Sequence, residues 1–283
     1  MKFEETLEKK DVAFNFKRGK ITAAMTLVVS ILTLFTCLTS ILCESIYNDV
    51  LSAGTITKFL LVSAKGQDII SIPLALLLAV LSVVFFKRPS YKCFITIIGL
   101  AGGFFYGYGL YSIQGQYTAL YLVYLAIFGL SIYSIVFGLL SFKPEFAIKT
   151  SLSKAVRISV SIFLYFIVLM LGFAWLGRIV PNIAEHIPQD TYGVFVLDLG
   201  IVFPALAIIA TKLIRNKPYG NILSGVALVK AITVCLSWGF AEWYDRFCGI
   251  TQSGYDMLFI PSVLTIISLV FFVLYISKLK YNE

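Results

Sequence analysis

The chain has 283 residues, 59% of them hydrophobic and 13% charged, with a mean hydropathy of +0.90 and a formal net charge of +8. A soluble domain carries about 25% charged residues, and its surface helices have polar faces that these segments lack, so a water-soluble globular fold is excluded. The strand-like alternation of a membrane β-barrel is also missing, which leaves an all-α, polytopic transmembrane helical bundle.

Residues 1–20 read as a charged, amphipathic cytoplasmic lead-in, with Phe3, Leu7, Phe14 and Phe16 available to rest on lipid headgroups. The stretch is not expected to be a cleavable leader, because the apolar run behind it is far longer than the core of a signal peptide. Eight apolar segments then follow, at 21–43, 59–86, 93–112, 118–142, 158–180, 192–213, 222–241 and 257–277. Each is close to or above the roughly 20 residues that cross about 30 Å of hydrocarbon.

Most of the 23 basic residues fall at the ends of these segments on one side. Lys2, Lys9, Lys10, Lys17, Arg18 and Lys20 precede the first; Lys87, Arg88 and Lys92 follow the second. Lys143, Lys149, Lys154 and Arg157 lie between the fourth and fifth, Lys212, Arg215 and Lys217 between the sixth and seventh, and Lys278 and Lys280 after the eighth. The positive-inside rule then predicts a multi-pass protein of the cell (inner) membrane with both termini cytoplasmic. The partner implied by the basic charge is the lipid bilayer, and no nucleic acid is expected. The opposite side is acidic, with Glu44, Asp49, Glu185, Asp190, Glu242, Asp245 and Asp256; these are solvated loops or a vestibule that attracts cations.

Four ionisable residues lie inside or beside the apolar runs: Lys65, Asp68, Asp198 and Lys230. A charge at the membrane midplane costs roughly 2.5–3.5 kcal/mol on insertion scales, so each needs a partner, a wet cavity or a function. Lys65 and Asp68 are three apart on one helix face, with Gln67 beside them, and can neutralise each other. Asp198 falls about 10 Å and Lys230 roughly 16 Å below the outer surface at 1.5 Å per residue, an offset that a lysine side chain can bridge, so an interhelical ion pair is expected to be within reach. Two self-satisfied pairs, or a site that handles a substrate or proton, both fit this pattern.

The second and sixth segments resemble each other. Asp68-Ile-Ile-Ser-Ile-Pro73 leads to Lys87-Arg88-Pro89, and Asp198-Leu-Gly-Ile-Val-Phe-Pro204 leads to Asn216-Lys217-Pro218. With an even number of helices per unit, this reads as a parallel 4+4 internal repeat: a first half at 21–142, a basic cytoplasmic linker at 143–157 and a second half at 158–283. Pro73 and Pro204 each remove a backbone donor and free the carbonyl four residues earlier, Ile69 and Gly200, so both aspartates are expected beside kinks.

Tyrosines concentrate in the third and fourth segments, at Tyr106, Tyr108, Tyr111, Tyr117, Tyr121, Tyr124 and Tyr133. Some belong to an interfacial belt; Tyr124 and Tyr133 are expected deeper, as a hydroxyl-bearing wall for a planar or cationic small molecule. Gly99, Gly103 and Gly107 form a small-residue stripe for helix–helix contact. Thr22, Thr26, Ser30 and Thr33 are expected to bond to backbone or to neighbouring helices. Cys37, Cys43, Cys93, Cys235 and Cys248 show no paired spacing, and His186 is the only histidine, so no metal site or His-based triad is expected and no cofactor is implied. Cys43 and Cys248 both lie near the outer side, where a disulfide is one option.

Lys65-Gly66-Gln67-Asp68 with Pro73, Phe128-Gly129-Leu130-Ser131-Ile132-Tyr133, Asp198-Leu199-Gly200 with Pro204, and Val229-Lys230 resemble an uncharacterised family of bacterial polytopic membrane proteins. The resemblance covers most of residues 56–235 and implies a fold type and the four charges as shared features, but no activity. The resulting expectation is a polar cavity that binds or transports a small solute or cation, built from Lys65, Gln67, Asp68, Tyr124, Tyr133, Asp198 and Lys230. An intramembrane enzyme acting on a lipid or isoprenoid, and a non-catalytic sensor or partner protein, are the alternatives.

Overall fold

The computed structural model describes residues 15–43, 45–250 and 254–282. The expected lead-in up to residue 14, with Phe3, Leu7 and Phe14, lies outside them, as does Glu44 of the acidic side. The described chain is all-helical apart from one two-stranded ladder. Its helices are α1 (Phe16–Leu42), α2 (Ser45–Ser52), α3 (Lys58–Lys87), α4 (Tyr91–Ile113), α5 (Tyr121–Leu139), α6 (Pro144–Lys149), α7 (Lys154–Glu185), α8 (Tyr192–Leu197), α9 (Phe203–Ile214), α10 (Gly220–Phe247) and α11 (Asp256–Lys278). Eight spans among the described residues are long and apolar enough to cross a bilayer: α1, α3, α4, α5, α7, α8 joined to α9, α10 and α11. Phe16 to Lys20, expected in the lead-in, form the first turn of α1.

Local chemistry sets several starts. The Asn15, Thr57 and Ser153 side chains accept from the third backbone N–H of α1, α3 and α7, respectively, which satisfies donors that a helix start otherwise leaves orphaned. Outward faces carry large apolar side chains, such as Phe35, Val80, Leu122, Phe173 and Ile266, all exposed. Lipid solvates such a face; water does not.

The helices alternate in direction. One end of the bundle, here the basal end, is tied by Asn15 N–H to Ser141 O and by the antiparallel strands β1 (Thr150–Ser151) and β2 (Lys280–Tyr281). The far end is tied by Gln114 to Asp190 O and by Ser63 to Asp245.

The two halves repeat their neighbour pattern. In the first, α1 packs on α3, α3 on α4, α4 on α5, and α5 back on α1; in the second, α7 packs on α9, α9 on α10, α10 on α11, and α11 on α7. Between them α4 meets α10, the counterpart of α4. The basal anchors correspond too: Lys92 Nζ donates to Ile276 O at 2.6 Å, and Asn221 Nδ2 to Thr150 O at 2.7 Å. β1 and β2, which follow the last long helix of each half, pair with each other. The expected internal repeat is thus visible in the packing.

Glycines let α4 and α10 touch. A Cβ at Gly99 would overlap Val229, and one at Gly103 would overlap Thr233; Gly107 gives space to Gln67 on α3 instead. The small-residue stripe therefore does serve helix contact.

The kinks differ from the expectation at one position. Pro73 sits inside the unbroken α3. Before Pro204 the helix widens over Asp198–Val202, where Phe203 N–H reaches back five residues to Asp198 O. Such a turn holds one extra residue, matching the longer Asp198–Pro204 spacing relative to Asp68–Pro73.

Candidate functional site

A cavity of about 550 Å³ enters the bundle from the far end and reaches its middle. It is lined toward the far end by Phe59, Gln116, Gln189, Asp190 and Asp245, and deeper in the bundle by Phe203, Leu206 and Lys230. The volume is that of a small-molecule pocket. The close α4–α10 contact supplies one wall, through Gly103 and Ala231, and the widened turn supplies another, through Asp198 and Val202.

Asp198 is 5% exposed and accepts a hydrogen bond from Trp175 Nε1 at 2.7 Å on its Oδ2. Lys230, on α10, holds its ammonium 4.5 Å from the centre of the Tyr106 ring. The Tyr106 phenol also lies near Asp198. Among the described residues no direct Asp198–Lys230 ion pair is formed within 4 Å. The expected interhelical pair is corrected in that respect: Trp175 and the Tyr106 ring each hold one partner, and a gap open to the cavity separates them.

Asp68 has a different environment. It is 2% exposed and does not line the cavity. Its Oδ2 accepts from Ser40 Oγ and from Tyr47 OH at 2.8 Å; its Oδ1 faces Tyr111 OH at 3.0 Å, with the Cys37 thiol at 3.9 Å. These donors come from α1, α2 and α4. The short α2 places Tyr47, fully buried, as a plug over the carboxylate. Tyr111 has a second acceptor, Ala64 O at 2.9 Å, and its other face lines the cavity. Hydroxyls therefore take the place expected for Lys65, and the Lys65–Asp68 pair is corrected. Lys65 is half-buried elsewhere on α3, outside the cavity lining.

The remaining expected residues divide. Gln67 lines the cavity and donates to Ser71 at 3.2 Å. Tyr124 is buried in an aromatic cluster with Tyr108 and Tyr111, centroids 5.8 and 5.2 Å away, and accepts from Thr118. Tyr133 is 59% exposed on the outer face of α5, so it is no part of a wall. The spacing that put it deep along its helix does not say which way it faces. The fold thus brings Gln67, Asp198 and Lys230 together at one cavity, sets Asp68 and Tyr124 in a closed cluster behind Tyr111, and leaves Lys65 and Tyr133 outside both.

Sequence reasoning missed Ser40, Tyr47 and Trp175. Only Trp175 carried a usable signal, since an indole N–H deep inside an apolar run requires an acceptor. Of the expected hydroxyl contacts, Thr22 and Ser30 bond to backbone, and Thr26 bonds to Ser82 Oγ at 2.9 Å across to α3; Thr33 Oγ1 has no partner among the described residues. Cys43 and Cys248 are both free and exposed. Among the described residues no cluster of metal-ligating side chains occurs.

Fold and site together define an eight-span helical membrane protein with a polar interior. Comparison with known family models, with curated proteins and with solved structures returned no match. The resemblance to a bacterial polytopic family therefore rests on its short segments alone, and the eight-span architecture is what stands.

Proposed function

We propose that this protein binds a small solute in the cavity and passes it toward or across the membrane. The observation that carries this reading is the Asp198–Lys230 gap: two opposite charges lie at membrane depth, line one cavity and are not joined to each other. Ionisable groups in the bilayer are expensive, and those facing a cavity mark solute or ion pathways. The basic loops orient the basal end to the cytoplasm, so the cavity opens to the outside of the cell (inner) membrane. Asp68, closed behind Tyr111, supports the wall rather than touching the solute.

Cys235 lines the cavity and serves as a native reporter. In a chain whose Cys37, Cys43, Cys93 and Cys248 are replaced by alanine, a charged methanethiosulfonate that does not cross membranes should modify Cys235 from outside intact cells. The reagent is itself a small organic solute. Modification only from the cytoplasmic side would reverse the orientation, and none from either side would remove the solute reading; Cys235→Ala gives the background.

A further inference from the structure

We infer that the solute class is a zwitterion of the amino-acid type with an apolar side chain, its carboxylate on the Lys230 ammonium and its ammonium on the Asp198 carboxylate. The inference rests on the proposed solute-binding role of the cavity and adds the chemistry of the ligand.

The argument starts from unspent hydrogen-bonding capacity. A lysine ammonium has three donors, and among the described residues that of Lys230 is engaged only by the face of Tyr106, at 4.5 Å. A ring face offers no lone pair to an N–H, so the donors remain for an anionic group. Asp198 accepts from the Trp175 indole through one oxygen and has the Tyr106 phenol nearby; a carboxylate has about four lone-pair sites, so capacity for an ammonium remains. Opposite charges in a low-dielectric interior attract strongly. Here each is held back by its own aromatic partner, on a different helix, and the gap between them faces the cavity.

The same geometry disfavours simpler ligands. A plain anion at Lys230 meets the negative charge of Asp198, and a plain cation at Asp198 meets Lys230. A molecule carrying both charges satisfies both groups and brings no net charge past the mixed charges that also line the cavity, Arg178, Asp190, Asp245 and the Arg246-paired Glu242. The walls around the gap are apolar and aromatic, with Leu171, Phe195, Val234 and Trp238. They suit a large hydrocarbon or aromatic side chain.

The test uses the full chain in detergent micelles at neutral pH, titrated with L-leucine while following tryptophan fluorescence in a Trp243→Phe background, which leaves the cavity-lining Trp175 and Trp238 as the reporters. N-acetyl-L-leucine lacks the ammonium and L-leucinamide lacks the carboxylate. Saturable change with L-leucine, and at least tenfold weaker change with each analogue, is expected with Asp198 and Lys230 intact. Lys230→Met and Asp198→Asn should each weaken L-leucine at least tenfold, and L-leucine should slow the labelling of Cys235. An analogue that binds as well as L-leucine, or no saturable response to L-leucine, overturns the inference. If that happens while Cys235 still reacts from outside, the zwitterion class fails and solute binding stands; if Cys235 is also closed, both fail.

Discussion

Asp68 shows how a carboxylate is held deep in a bundle without a cation in contact. Hydroxyls of Ser40, Tyr47 and Tyr111, on three helices, converge on its two oxygens. Bonds to a charged acceptor are worth about 1.5–3 kcal/mol each, so Tyr47→Phe should destabilise the fold by about that amount in a reversible denaturation experiment. Tyr133→Phe, on the outer face of α5, should leave stability unchanged; equal effects of the two would contradict the assignment. That Asp68, Asp198 and Lys230 lie deep in the bundle was legible from the sequence, because a charge in an apolar run stands out. Their partners were not. A lysine three residues from an aspartate is visible in the sequence, but Tyr47, on a separate short helix, reaches Asp68 only through the fold. Tyr133 shows the converse, since depth along a helix leaves its rotation unspecified.

At the scale of elements, the α4–α10 contact forms one wall of the cavity. Gly103 has Thr233 against it with no space for a Cβ, so Gly103→Leu forces the two helices apart. Overpacking of this kind costs typically 1–3 kcal/mol, and the displaced wall should also change the rate at which Cys235 is labelled. Gly129 of α5 has open space around its Cα. Gly129→Leu should therefore leave both stability and labelling as they are. A Gly103→Leu protein with unaltered melting and labelling would show that this contact is not needed. The glycine stripe was legible because small residues at four-residue spacing line one face of an apolar helix, where they let a neighbouring backbone come close. The widened turn at Asp198–Val202 was legible only as one extra residue between aspartate and proline, a hint whose meaning depends on backbone geometry.

For the whole molecule, the bilayer makes the sequence easy to read at low resolution. Backbone groups in lipid must be satisfied internally, so long apolar runs become helices, and the eight spans fall close to where hydropathy puts them. The repeat was visible as two Asp…Pro…basic-Pro stretches, and the packing extends it to matched neighbours in both halves. The two sets of helices differ in their interiors. The first closes its aspartate under Tyr47, while the second leaves its aspartate beside a cavity with Lys230 opposite. Sequence similarity between the halves could not distinguish closed from open, because that difference rests on which helix faces meet.

The central claim is that water and solute reach the Asp198–Lys230 gap while the Asp68 cluster stays dry. Hydroxyl-radical footprinting of the protein in a lipid nanodisc tests this directly, because oxidation reports water beside each side chain. Tyr106, Trp175 and Trp238, which line the cavity, should be oxidised at rates approaching those of exposed residues. Tyr108 and Tyr124, packed around Tyr111, should stay nearly unmodified. Oxidation of Tyr106 and Trp175 no faster than that of Tyr108 would contradict the account.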